Sequence, residues 1–161
     1  MGAISIILPQ KLGEKLRKKA AETDSLPEEL GVELLQKSLN EELDPEELVE
    51  HYQALSEKYF KDAKEFLSME DLVQASEKLW GASALAVKAV AAKRGLKLDK
   101  DGSLWEFVSR LAKERSDEDF IRLFFTANAL HRNFYEGQMN KAALEIATRD
   151  IEKLIEKLRS L

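Results

Sequence analysis

Trp80 to Ala92, WGASALAVKAVAA, is the stretch on which the fold turns. Its small residues Gly81, Ala82, Ala84, Ala86, Ala89, Ala91 and Ala92 fall on nearly all sides of a helix, so no side is reserved for water and neighbouring helices can approach closely. This reads as a central helix, running from about Glu70 to Arg94 and stopped by Gly95 in the usual C′ place. Upstream, Leu48, Tyr52, Leu55, Tyr59, Ala63 and Phe66 alternate at three and four, which predicts a long amphipathic helix ending near Ser68. Downstream, the polar link LKLDKDG precedes Ser103 and Glu106, a capping box for a short helix carrying Leu104, Phe107, Val108 and Leu111. Asp117 can cap a helix through Phe120, Phe124, Phe125, Ala127 and Leu130. The last helix, about Gln138 to Ser160, presents Ala143, Ala147, Ile151, Leu154, Leu158 and Leu161. Four long helices with one short insertion predict a bundle.

The amino-terminal residues have a different pattern. Ala3 to Leu8 is rich in β-branched residues and stops at Pro9, which predicts a short strand. Leu12, Leu16 and Ala20 then line a first helix. Pro27 opens a second, with Glu28 and Glu29 at its positive end and Leu30, Leu34 and Leu39 as its inward face. Asp44 and Pro45 are suited to cap and open the next helix, so NEELDP (Asn40 to Pro45) reads as the joint between residues 1–42 and 43–161.

The 161-residue chain is long enough for a core of its own, and 44% of it is apolar. Cysteine is absent, which excludes disulfides and thiolate chemistry and suits a reducing cytoplasmic compartment. A net charge of −5 argues against a broad polyanion-binding surface. No segment reads as a membrane span or a signal peptide. His51 and Glu47 have i, i+4 ligand spacing but lack a third ligand, so neither a metal nor another cofactor is expected.

Three resemblances follow from these stretches. Strand, proline, helix, turn and helix within residues 1–42 resembles the ribbon-helix-helix family, in which two chains pair their strands. That resemblance implies a homodimer joined through Ile4, Ser5, Ile6, Ile7 and Leu8. The family usually reads DNA through its ribbon. Here neither strand face carries an Arg, Lys, Asn or Gln, and Asp24, Glu28 and Glu29 beside the second helix repel phosphate, which argues against that role. FLSMEDLVQASEKLWGASALAVKAVAAKRG, Phe66 to Gly95, resembles the helix turn and second helix of the HEPN superfamily. QASEKLWGA together with LHRNFYEG is similar to the archaeal PaREP family of small all-α proteins, a likeness covering roughly Pro45 to Leu161. The expected architecture is therefore mainly α: a HEPN-like four-helix bundle preceded by a ribbon-helix-helix-like, strand-helix-helix dimerisation segment.

LHRNFYEG, Leu130 to Gly137, supplies the candidate site. Many HEPN proteins are metal-independent ribonucleases that use Arg-Asn followed by His, the guanidinium steadying phosphate charge and the imidazole moving a proton. Arg132 and Asn133 match that start, but Gly137 stands where the His is expected. His131 precedes the Arg, and adjacent residues on a helix diverge by about 100°. No catalytic residue is therefore assigned. The candidate binding residues are Glu77, Lys78, His131, Arg132, Asn133, Tyr135 and Glu136, which could form one polar site or could serve separately as helix caps and exposed edges. Trp80 and Trp105 read as core, and Lys88, Lys93, Arg94 and Lys97 as a cationic helix end that could meet phosphate.

The functional expectation is a non-catalytic, dimeric binding module for a nucleotide, an RNA or a toxin-antitoxin-type protein partner. A divergent ribonuclease and a purely structural oligomer are the alternatives.

Overall fold

The computed structural model describes residues 3–23, 25–98 and 101–161, without the side chains of Asp101 and Gly102. Asp24, expected to repel phosphate, and Asp99 and Lys100 of the polar link lie outside the described residues. The chain divides into two compact units, Met1–Leu43 and Asp44–Leu161.

The first unit is a pair of helices, α1 (Gln10–Glu22) and α2 (Pro27–Leu39). The expected strand is absent: residues 3–9 carry no strand or helix, and the ribbon-helix-helix architecture is overturned for this chain. The physical reason is that β-branched composition only permits a strand, whereas a strand exists by hydrogen bonding to a neighbour, and no described residue supplies one. Ile4, Ile6 and Ile7 stand 62% or more exposed, with Ser5 and Leu8 also exposed between and beside them. Ala20 is buried as the helical pattern implies, but Leu12 is exposed. On α2 only Leu30 of the expected inward face is buried, while Leu34 and Leu39 face solvent. Pro27 does open α2, where the Glu29 carboxylate accepts the Leu26 N–H at 3.1 Å.

The second unit is built from α3 (Pro45–Ser68), α4 (Leu72–Lys93), α5 (Asp101–Arg115), α6 (Asp119–Glu136) and α7 (Lys141–Arg159). Helix α4 touches each of the other four, and sixteen of its twenty-two residues are buried. The alanine-rich stretch produces this arrangement, since side chains one carbon long let α3 lie along α4 in the most extensive pairing of the unit. Ser56 donates its hydroxyl to the Ala82 carbonyl at 2.7 Å, a hydrogen bond available only where two backbones come this close.

The helix ends are chemically determined. The Asp44 carboxylate accepts the Glu47 N–H at 2.8 Å, Asp71 accepts from Gln74, and Asn140 accepts from Ala143. Gly95 and Gly137 end α4 and α6 at φ of +71° and +61°. Two expected starts are corrected. Helix α5 begins at Asp101, so Ser103 sits inside it rather than capping it, and α7 begins at Lys141 because Asn140 makes the cap. Asp117 accepts the Asp119 N–H at 3.0 Å at the entry to α6, and the Lys157 ammonium donates to its other oxygen. These two donors hold the Asp117 carboxyl below its ordinary range, the Lys157 hydrogen bond being the stronger cause. No helix among the described residues is long and apolar enough to cross a membrane.

Candidate functional site

The LHRNFYEG residues occupy the last turns of α6, where this helix runs beside α4. Being neighbours on a helix, they separate around it. His131 and Asn133 face α4, whereas Arg132, Tyr135 and Glu136 face water.

Asn133 is 3% exposed and its side chain is fully employed in structure. Its Nδ2 donates to Ser76 Oγ on α4 at 2.7 Å, and its Oδ1 accepts the Gln138 and Met139 N–H groups at 2.8 and 2.9 Å. Ser76 in turn donates to the Leu72 carbonyl. One amide thus ties α6 to α4 and shapes the turn into α7. The sequence marks Asn133 but gives no sign of Ser76, whose role depends on a contact across fifty-seven residues.

His131 belongs to a different constellation. Its ring stacks on Trp80 at 4.6 Å between centroids with a 28° tilt, and meets the Tyr135 ring edge-on at 5.8 Å. His131 Nδ1 lies 3.5 Å from Glu77 Oε2, and both of these atoms are shielded from solvent. That separation is an ion-pair distance rather than a good hydrogen bond, so the attraction is chiefly one of charge and is present when the imidazole is protonated. The two side chains remain about one-quarter exposed as wholes. Trp80, 6% exposed and also against Phe124, forms the apolar back of this carboxylate–imidazole pair. Its place here was legible as helical spacing, since Glu77 and Trp80 lie three apart on one helix face.

The remaining candidates are distributed around the edges. Arg132 is 69% exposed in its side chain and donates to Glu136 one turn later at 3.3 Å. Tyr135 is 71% exposed. Lys78 turns towards α3, where its ammonium lies 4.3 Å above the Tyr59 ring. The structure therefore brings together Glu77, His131 and Tyr135 with Trp80, places Arg132 and Glu136 on the adjoining surface, and leaves Lys78 and Asn133 elsewhere. The cationic end of α4 is likewise dispersed: Lys88 is buried, and Arg94 pairs with Glu114 at 2.9 Å and covers the Phe107 ring. Among the described residues no three His, Cys, Asp or Glu side chains gather as they would to hold a metal ion.

No curated protein matches this sequence. A crystal structure of a protein from Sulfolobus solfataricus is similar at 27% identity with a TM-score of 0.59, over 66% of this chain and 94% of that one. The model of the archaeal PaREP1/PaREP8 family matches residues 51–155, which include α4, α6 and all the candidate binding residues. The match spans more than half of the chain, which belongs to the archaeal PaREP1/PaREP8 family.

Proposed function

We propose that the Asp44–Leu161 unit is a non-catalytic, HEPN-like binding module whose α4–α6 edge takes a single nucleotide. The observation that carries this reading is the side-by-side display of an aromatic face and a cation: Tyr135 and Arg132, three residues apart on α6, both point to water. Tyr135 offers a ring for a base to stack on. Arg132 offers a guanidinium for phosphate and can be drawn from its weak, exposed pairing with Glu136. Glu77 and His131, seated against Trp80, supply a carboxylate acceptor and an imidazole beside the ring. The chain's net charge of −5 favours a mononucleotide over a long polyanion, whose many phosphates would meet repulsion.

Binding without chemistry is supported by how the Arg-Asn pair is used. Asn133 is committed to the α6–α7 turn, and Arg132 pairs with Glu136 on the exposed surface. The Asn of the Arg-Asn pair is thus used to hold the fold, and Gly137 stands where the ribonuclease resemblance expects a His.

The test is titration of the full chain with ADP, followed by calorimetry and by tryptophan fluorescence, which would report contact near Trp80. Binding that Tyr135→Ala and Arg132→Ala each weaken at least about tenfold, with unchanged melting, is the expected result. Equal affinity in both variants, or no heat and no spectral change with any common nucleotide, would refute the reading.

A further inference from the structure

Helices α3 and α7 each pack on α4 but touch one another far less, and the space left between them is a groove of about 240 Å³. Its floor is apolar: Ile155 of α7 is buried and Phe60 of α3 is half-buried. At one end Arg159 of α7 pairs with Glu57 of α3 at 2.7 Å and ties the two helices together. The helical repeat sorts the remaining charges by side. Lys61 and Lys64, three apart on α3, form one bank, and Glu152 and Glu156, four apart on α7, form the other. All four side chains are exposed. Among the described residues Lys61, Glu152 and Glu156 enter no ion pair, and the Lys64 ammonium lies over the Phe60 ring at 5.1 Å. The two banks therefore line one groove without neutralising each other.

Such a lining selects its ligand by charge. Arg159 and Glu57 cancel, which leaves two ammonium groups against two carboxylates. An anion meets repulsion from the α7 bank and a cation from the α3 bank, both at a range too short for salt to screen fully. A molecule with one charge of each sign is attracted by both. The groove is smaller than the roughly 300–1,000 Å³ of sites for drug-sized ligands, so its occupant is small. The Ile155 and Phe60 floor calls for an apolar body between the charges.

We propose that the α3–α7 groove binds an α-amino acid with a branched or aromatic apolar side chain. The ligand's carboxylate lies toward Lys61 and Lys64, its ammonium toward Glu152 and Glu156, and its side chain on Ile155 and Phe60. Each exposed ion pair is weak by itself, so the three contacts act jointly and the affinity is modest. The groove is built from other helices than the α4–α6 edge, and the inference stands apart from the nucleotide reading.

The test is calorimetric titration of the full chain with L-phenylalanine and L-leucine, and with 3-phenylpropionate and phenethylamine, which carry only the negative or only the positive charge. The amino acids should bind with a Kd of about 0.1 to 1 mM, and each singly charged analogue at least about tenfold more weakly than phenylalanine. Lys61→Glu with Lys64→Glu should weaken phenylalanine binding at least about fivefold with unchanged melting. Glu152→Lys with Glu156→Lys should do the same and should also raise the affinity for 3-phenylpropionate above that of the wild type, a reversal that a merely structural effect would not produce. Failure of both amino acids to bind at about 10 mM would overturn the inference. So would a singly charged analogue bound as tightly as phenylalanine, or affinities unmoved in the two double variants.

Discussion

Asn133 and Ser76 join α6 to α4 through a 2.7 Å hydrogen bond between buried side chains, and the same amide oxygen receives two backbone donors of the α6–α7 turn. Asn133→Ala should therefore remove three hydrogen bonds and leave a buried hydroxyl without its donor. A loss of about 2 to 3 kcal/mol is expected, read as a lower urea midpoint with an unchanged slope.

Arg132, one residue earlier, should behave in the opposite way. Its guanidinium is exposed and its pairing with Glu136 is an ordinary surface i, i+4 contact. Arg132→Ala should change stability by less than about 0.5 kcal/mol while reducing nucleotide affinity, so melting and titration separate the two neighbours.

The stability of the second unit should depend on acid through Asp117. Hydrogen bonding to Lys157 and to the Asp119 N–H depresses its folded-state pKa, so the ionised form favours folding. The contribution is fully present above the unfolded carboxyl value of about 3.9 and disappears as pH falls through the lower folded value. Denaturation followed between about pH 2 and pH 7 should show this decline in the wild type. Asp117→Asn should be less stable near neutrality and should have a flatter profile at the acid end.

Helix α4 should reject larger side chains. Ala82 is wholly buried at the point where Ser56 reaches its carbonyl. Ala82→Leu should force α3 away, break that hydrogen bond and cost about 2 to 4 kcal/mol. Thermal melting of this variant against Ala54→Leu, an exposed alanine on α3, separates crowding from added hydrophobicity.

Gly137 ends α6 at φ +61°, where a Cβ would meet only Val73 at an ordinary 3.7 Å. Gly137→Ala should accordingly cost about 1 kcal/mol from the backbone alone, with no steric clash added. Calorimetric melting of the variant checks the value.

Much of the bundle was legible because its determinants are local. Asp44 before Pro45 fixes the start of α3, Gly95 fixes the exit from α4, and the alanine run of α4 has no polar side to turn outward. The amino-terminal strand was misread because Ile4, Ile6 and Ile7 state a preference, and pairing is a property of two segments. The inward face expected on α2 failed for a related reason: periodicity identifies an apolar side, but it does not guarantee that anything covers Leu34 and Leu39. At the candidate site, the LHRNFYEG motif lies at the carboxy-terminal end of α6. It could not tell that Asn133 turns inward to Ser76 and Arg132 outward to Glu136, because sequence adjacency conceals a 100° rotation. Trp80, read as core, is core and is also the wall against which His131 lies.

The enclosure of α4 by four neighbours also governs the order in which the molecule loosens. A helix hemmed in on every side cannot fray independently, so its middle amides should trade hydrogen for deuterium only when the entire bundle opens. Residues Leu79 to Ala91 would then report global unfolding directly, a built-in gauge against which the earlier openings of the outer helices can be timed.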